Sequence, residues 1–482
     1  MTSRDEFAAT PQPDDDVEPA YEDDPVAQFF SAHRAAVHVE GADDLDWARI
    51  ARASRTRGPR NFLKGAVVAA AVAVIAGFGV WTVQSPLGQS PVEAAASRSS
   101  VAATRGSQSQ PGSTSGPQVP TAVPAQFVTW SLTNAGHRTV YNLGAGTCGN
   151  STCPVLLRTQ DNGMSWSSVH IFGRSAAAAH VQPGSGRINA PGQLRDVRFM
   201  TATVGYVFGG DLWVTRDAGA SFSRVQHPGR TVLDVVADRG NVLIVTGEQC
   251  TTSSCSGSVS VTKMDLSDNT VPTQGVTTSY LSTPINSARL VVKDGSGYLT
   301  MTGAADGVPL TPLPVKDGAL GEGKGLNITA CGGQPLQSLT PSLATSHHLL
   351  GLCAPVENGS RTSYTLVKST DDGSNWSRVS TGAVQMPTGA RTYLAAIDDT
   401  RMAVGAAGAG GAALASGGAL VVSTDGGASF AAKDAPLTLP ASGVDWLASP
   451  GGSQYYAVSL TSSGYWWSKD YGDTWTLVDP TR

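Results

Sequence analysis

The sequence predicts an all-β domain made of a repeated four-stranded unit, preceded by one membrane-crossing helix. Three observations carry this. A turn motif recurs five times beyond residue 124, short β-like runs surround every copy, and a single long uncharged apolar stretch precedes them all.

The five copies align without gaps. They are Thr159-Gln-Asp161-Asn-Gly163-Met-Ser165-Trp166, Thr215-Arg-Asp217-Ala-Gly219-Ala-Ser221-Phe222, Ser369-Thr-Asp371-Asp-Gly373-Ser-Asn375-Trp376, Ser423-Thr-Asp425-Gly-Gly427-Ala-Ser429-Phe430 and Ser468-Lys-Asp470-Tyr-Gly472-Asp-Thr474-Trp475. Each reads as a hairpin turn. Aspartate accepts backbone N–H bonds a few residues on. Glycine supplies the positive φ that a tight turn needs. The hydroxyl residues close further local bonds, and the indole or phenyl ring begins the next strand as an apolar plug.

This unit resembles the Asp box, or BNR repeat, of the sialidase-type β-propellers. In that family the box joins the third and fourth strands of a blade. The resemblance implies a propeller over residues 125–482. Successive box aspartates lie 56, 154, 54 and 45 residues apart. The long gap fits three periods of about 51 residues, so two blades are expected to lack a recognisable box. Degenerate turns are expected near Leu266–Asn269 and Ala304–Gly307. The count is then seven four-stranded antiparallel blades, although six or eight would also fit. The last blade should end near Val478 and close the ring against the strand around Phe127–Leu132.

The texture of the domain agrees. Runs such as FVTWSL, LWVTR, VLIVTG and YYAVSL are punctuated by Gly, Asp, Asn and Pro every 8–12 residues. Gly is abundant, with 55 residues, and charged residues are only 15%, which suits turns and short strands rather than solvated helices.

Upstream, Gly65 to Val83 (GAVVAAAVAVIAGFGVWTV) carries no charge. At helical rise its length is roughly 28 Å, enough to span a bilayer. The basic segment 47–64 holds Arg49, Arg52, Arg55, Arg57, Arg60 and Lys64, whereas the far flank has no basic residue before Arg98. This asymmetry places the N-terminus in the cytoplasm and the C-terminal domain outside. The run starts too late and is too long for a cleaved signal peptide. Residues 1–46 hold 13 Asp or Glu against two Arg, which predicts a disordered acidic tail and excludes a nucleic-acid-binding arm. Within the tail, Pro25–Val39 could form one amphipathic helix. Residues 84–124, rich in Ser, Gly, Pro and Gln, read as a flexible stalk. No basic stripe with interleaved aromatics appears, so no nucleic-acid partner is expected.

All six cysteines lie beyond the membrane segment: Cys148, Cys153, Cys250, Cys255, Cys331 and Cys353. CGNSTC and CTTSSC share a spacing that could staple hairpin tips, leaving Cys331 and Cys353 to each other. Fifteen connectivities are formally open. An even count outside the membrane favours disulfides over a zinc site, which would call for two-residue spacing and a histidine pair.

Catalytic chemistry is hard to find. Sialidases of the resembled fold use three arginines, a Tyr–Glu nucleophile pair and an acid/base Asp. Arg138, in HRTVY, precedes Asp161 within the domain, but no arginine ahead of that box stands in the family's Arg-Ile-Pro motif. The look-alike Arg187-Ile188-Asn189 follows the first box and lacks the family's proline. Glu248, Glu322 and Glu357 are the only glutamates past the stalk. The scaffold is therefore carried over and no catalytic residue is. His347-His348 reads as loop rather than metal site, since neighbours on a strand face opposite ways. Trp466-Trp467 and Tyr455-Tyr456 could form a sugar-stacking platform, but alternation favours one ring of each pair on each face of a sheet. No cofactor or metal is expected. The composition suggests a GC-rich bacterial source. The expected role is a membrane-tethered binding or assembly module for an envelope protein, peptide or glycan. A glycoside hydrolase of sialidase or xyloglucanase type is the alternative.

Overall fold

The computed structural model describes residues 114–115, 118, 121–136, 138–173, 192–227, 230–305, 307–321, 326, 328–354, 356–358, 361–379, 384–408, 413–414, 419–433, 439–459 and 461–482. The acidic tail, basic segment, apolar stretch, most of the stalk, and Arg187–Asn189 lie outside them. Among the described residues no helix is long and apolar enough to cross a membrane.

The domain is a β-propeller of four-stranded antiparallel meanders taken in chain order. After β1 (Thr114–Ser115), the first meander is β2 (Val128–Asn134), β3 (Val140–Cys148), β4 (Ser151–Thr159) and β5 (Ser167–Ile171). The next is β6 (Asp196–Phe199), β7 (Gly205–Phe208), β8 (Leu212–Thr215) and β9 (Phe222–Arg224), and β1 adds to its outer edge against β9. Two meanders then join through one Cys255–Ile285 pairing. They are β10 (Thr231–Asp238), β11 (Asn241–Cys250), β12 (Cys255–Asp265) and β13 (Thr277–Tyr280), followed by β14 (Ile285–Lys293), β15 (Ser296–Gly303), β16 (Leu313–Lys316) and β17 (Ala319–Leu320).

In the next meander, β18 (Leu336–Pro341) and β19 (Leu349–Cys353) are followed by an excursion before β22 (Leu366–Ser369) and β23 (Ser377–Arg378) complete the sheet. The excursion, β20 (Val356–Asn358) and β21 (Arg361–Tyr364), forms a side sheet with β24 (Val384–Pro387). The last two meanders are β25 (Ala390–Ala396), β26 (Met402–Gly408), β27 (Leu420–Ser423), β28 (Ala431–Ala432), and β29 (Trp446–Gly451), β30 (Gln454–Val458), β31 (Tyr465–Ser468), β32 (Thr476–Val478).

The first strand of each meander lies nearest the axis. β2 packs beside β6, β10 beside β14, β14 beside β18, β18 beside β25, β25 beside β29, and β2 again beside β29 and β30. Their inner edges would expose N–H groups with no ladder partner. Side chains of one inner strand serve the next: Val197 N–H donates to Ser131 Oγ (3.3 Å), Leu290 N–H to Asp234 Oδ2 (2.7 Å) and Leu394 N–H to Ser338 Oγ (3.1 Å).

Between neighbouring sheets sit separate apolar seams, because strand alternation sends successive side chains to opposite faces. Tyr455 and Trp466 join the seam toward β25–β28, while Tyr456 and Trp467 join the seam toward β2–β5. All four rings are buried, so they form no exposed stacking platform. The last sheet closes on the first without exchanging a strand. Thr129 donates through N–H to Ser462 O and through Oγ1 to Ser463 O, and Asn134 Nδ2 donates to Tyr456 Oη.

Two expectations need correction. Ala304–Gly307 follows β15, at the second-to-third strand turn, and the third-to-fourth turn of that sheet is Asp317–Gly318, a two-residue hairpin with both φ positive. And Thr114–Ser115, inside the segment read as stalk, pair with Ser223 and Phe222, because the outer edge of β9 offers an unpaired row of backbone groups. Gln118 extends this strap: its Nε2 donates to Ile171 O and its Oε1 accepts from Ile171 N–H.

The turn glycines set the distance between sheets. Gly373 has φ +83°, and a Cβ there would lie 2.2 Å from Tyr298 Oη of the preceding sheet. Gly240, at φ +80° in the β10–β11 turn, has nothing within 4 Å of the same position. Gly240→Ala should therefore cost only the backbone penalty, about 1 kcal/mol. Gly373→Ala should cost about 1–3 kcal/mol more, since the seam must also open. Chemical unfolding of the two variants measures the difference, and equal losses would show that the glycine serves the turn alone.

Candidate functional site

The five repeated turns join the third and fourth strands of their sheets and share one hydrogen-bond pattern. In the first, Thr159 Oγ1 donates to Asp161 Oδ1 (2.6 Å) and accepts from Gly163 N–H (2.9 Å), while Ser165 donates through N–H to Oδ1 (2.9 Å) and through Oγ to Oδ2 (2.5 Å). The same bonds recur at Asp217–Gly219, Asp371–Gly373, Asp425–Gly427 and Asp470–Gly472. The carboxylate is a clasp with both oxygens occupied. Hydrogen bonds from Ser165 hold Asp161 down at about 2, and those from Ser429 do the same for Asp425. Asp371 is lowered chiefly by the Asn375 amide; Asp217 and Asp470 are lowered by equivalent bonds that outweigh the opposing effect of burial.

The box rings fill the seam toward the preceding sheet. Phe222 packs with Tyr141, Leu156 and Phe172, Trp376 against the Tyr298 seam, Phe430 against the Leu366 seam, Trp475 stacks on Tyr455, and Trp166 meets Tyr465 edge-on across the ring closure.

The three cysteine pairs form as disulfides: Cys148–Cys153, Cys250–Cys255 and Cys331–Cys353. The first two close the β3–β4 and β11–β12 turns. In a meander, second-to-third and third-to-fourth turns point to opposite ends. These staples therefore lie on the face opposite the boxes.

His347 and His348 diverge, with Nδ1 atoms 2.8 Å from Asp372 Oδ2 and 2.5 Å from Asp399 Oδ2 respectively. Among the described residues no group of three or more His, Cys, Asp or Glu side chains could hold a metal ion. Of the glutamates, Glu248 accepts a bond from Ser258 Oγ.

The feature that sequence reading missed is the axial channel. A cavity of about 120 Å³ is lined by inner-strand residues, among them Asp196, Arg198, Asp234, Arg289, Arg391 and Trp446. Arg198 Nη1 donates to Ser131 Oγ (3.2 Å) and Val197 O (2.8 Å), and its guanidinium lies 6.0 Å from the Trp446 ring centre. Asp234 is committed to the scaffold, accepting Val235 N–H at Oδ1 and Leu290 N–H at Oδ2. Burial pushes its carboxyl up, against Arg198, the Leu290 amide and Arg289, which draw it down.

The three arginines stand on alternate inner strands, β6, β14 and β25. Relative to the amide capped by the preceding strand, they fall one residue after Val197, one before Leu290 and three before Leu394. The odd offsets put all three on one face of their strands. Four residues of stagger correspond to roughly 13 Å along the axis. Arg198 and Arg289, without Arg391, also line a second opening bounded by Asn134, Pro450 and Tyr456. The backbone positions that carry these side chains are therefore spread down the channel rather than gathered on one plane. Their spacing in sequence, 91 and 102 residues, is about two repeat units each, the one signal that could have found them.

No protein-family model and no curated protein matches the chain. Among solved structures it is similar to YCF48 bound to a D1 peptide (14% identity, 73% of this chain and 94% of that one, TM-score 0.43). It is also similar to Saccharomyces cerevisiae Sqt1 (9%, 76% and 88%, TM-score 0.44) and to the β-propeller domain of the Trilobed protease from Pyrococcus furiosus (9%, 73% and 97%, TM-score 0.39). The propeller itself is defined by the sheet topology above.

The clasps set an acid limit on the fold. A depressed carboxylate contributes stability that is fully present above its ordinary range near pH 4 and is lost as pH falls through the folded value. The melting temperature should be insensitive to these groups above pH 4 and fall between pH 4 and about 2, where Asp161 and Asp425 protonate. Asp425→Asn should melt lower at pH 7 yet show a shallower acid decline. Circular dichroism melts across pH 2–7 check both, and an unchanged slope in the variant would remove Asp425 from the acid transition.

Proposed function

We propose that this chain is a membrane-tethered, extracytoplasmic Asp-box propeller of seven blades that works as a non-enzymatic binding or assembly module. Residues 65–83 anchor it, residues 1–64 remain cytoplasmic, and the domain meets an envelope protein, peptide or glycan. The observation that carries the reading is the staircase of Arg198, Arg289 and Arg391 in the axial channel. Stagger of this kind suits an extended anionic segment, such as an acidic peptide or glycan, and suits a single clamped carboxylate poorly. Guanidinium groups hold carboxylates and phosphates through paired hydrogen bonds.

The alternative, a glycoside hydrolase, has one observation in its favour: Asp196 and Asp234 both line the channel. A glycosidase needs two carboxyl groups free to act on the scissile bond. Asp234 instead has an oxygen on each of two backbone amides, which supports binding over hydrolysis.

Pull-down from membranes with the full-length protein tests the proposal. Replacing Arg198, Arg289 and Arg391 together with Gln should reduce partner capture by about tenfold or more, and capture by the unaltered protein should weaken as salt rises. Capture indifferent to both changes would remove the channel as the binding face. Hydrolysis of aryl glycosides abolished by Asp196→Asn would establish the enzyme instead.

A further inference from the structure

A separate cavity of about 350 Å³, away from the axis, lies on the face of the β10–β13 sheet that is turned toward β6–β9, lined by the linker residues His227 and Arg230, by Thr246, Thr262 and Thr278, and by the β12–β13 loop. That size falls in the small-molecule range of ~300–1,000 Å³. Nearby, the same face is apolar: Val242, Ile244 and Met264 pack on Tyr206, Phe208 and Val214. Here the sheet changes character. Thr246 on β11 lies opposite Ser260 on β12, which lies opposite Thr278 on β13, so three hydroxyls form one row across three strands. Thr262 follows two residues along β12 on the same face.

Over this row stand Arg230 and His227. Arg230 Nη1 donates to Ser260 Oγ at 2.5 Å, and Ser260 and Thr278 share a 3.0 Å bond. Ser260 takes only one of the five guanidinium donors. His227 Nδ1 lies 2.5 Å from Arg230 O, which makes Nδ1 the protonated nitrogen. Asp211, the carboxylate beside His227 Nε2, already has Oδ1 bound to Arg224 (2.8 Å) and to Gly192 N–H (3.1 Å). Thr246 is buried, and its Oγ1 has no hydrogen-bond partner. A buried hydroxyl left unpaired costs stability unless something else satisfies it.

The geometry points to a binding site for a phosphate ester of a small polyol. The guanidinium and hydroxyls converge from different directions, as a tetrahedral oxyanion with several acceptor oxygens requires. The cavity has room for on the order of ten waters, more than a phosphate fills, and the threonine row can bond the polyol. The site is independent of the axial channel.

Thermal shift and calorimetric titration of the full-length protein in detergent test it, with inorganic phosphate, glycerol 3-phosphate, glycerol and acetate as probes. Both phosphates should raise the melting temperature saturably, the ester at lower concentration, and glycerol and acetate should not. Arg230→Gln should weaken phosphate binding about tenfold or more, the loss of one charge-assisted contact. Thr246→Val should weaken it several-fold while leaving the ligand-free melting temperature unchanged or higher, because no internal bond is lost. Arg391→Gln, in the axial channel, should leave it unaltered. If Arg230→Gln fails to fold, Thr246→Val decides. The site is refuted by the absence of a saturable phosphate shift, by equal binding of glycerol, or by a titration midpoint that Thr246→Val leaves unchanged. A shift that Arg391→Gln abolishes and Thr246→Val leaves intact would place the anion in the channel and refute it equally.

Discussion

Neighbouring sheets in this molecule meet through positions where a side chain has been left out. In each repeated turn the aspartate clasps its own hairpin, and the glycine two residues on faces the preceding sheet. A Cβ on Gly427 would collide with Leu366 and on Gly472 with Val422, while on Gly219 it would come into ordinary contact with Tyr141 and Leu156. Around the closure, Gly163 of the first sheet faces Val478 and Tyr465 of the last. The direction is the same every time, and the box ring fills the seam beside it. A turn of this kind does two jobs: it reverses the chain and it sets how closely the next wall of the ring stands. Sheets stacked by one repeated spacing close on an axis, and the axis gathers the inner strands whose side chains make the channel.

The two sheets without a recognisable box show which part of the motif is physical. In β14–β17 the turn is Asp317–Gly318, and a Cβ on Gly318 would meet Leu243 and Lys263 of the preceding sheet. The clasp is gone, the glycine contact remains, and Arg239 ties Asp317 back to the neighbouring β10–β11 turn. In β10–β13 both are gone. Leu266 packs in the preceding seam, and Arg216, from the x position of the neighbouring box, reaches over to Asn269 Oδ1 and to the carbonyls of Leu266 and Asp268. Contact with the preceding sheet is conserved in function across all of these turns, while the residues that supply it change.

This explains how much was legible in advance. The fold class followed from local chemistry: a turn that must have Asp and Gly writes them into the sequence, and so does a hairpin tip closed by two cysteines. Ala304–Gly307 was misplaced because a glycine and an aspartate within four residues mark any turn, and only strand register separates the second turn of a meander from the third. The strap at Thr114–Ser115 was illegible because edge pairing uses backbone groups, which every residue carries. The left-handed backbone at Ala218 and Tyr471, φ 57° and 60°, was hidden for a related reason. Their side chains do not favour that conformation; the clasp on either side imposes it. The channel arginines were missed because no two are near in sequence. Arg198 shares its short strand with Asp196, Arg289 shares its strand with Lys293, and Arg391 stands near the start of a strand of Ala, Thr, Tyr and Leu, so nothing local links the three, and only the ring brings them to a common axis.

The same logic separates scaffold from site. Box carboxylates are numerous and low in pKa, features that elsewhere mark chemistry, yet both oxygens of each are spent on the hairpin, and the groups are half-buried or exposed at the turns. Asp234 is buried with a raised pKa, another signature of catalysis, and it too is committed, to the inner edge of the next sheet. The channel arginines and the threonine row differ from these carboxylates in where they stand. They sit where the architecture would have been served by apolar or small side chains, as at Val242 and Ile244 in the same seam. A polar group that the fold does not need, held in a cavity that the fold leaves open, is where binding is most economically sought in a scaffold whose repeated parts are otherwise self-satisfied.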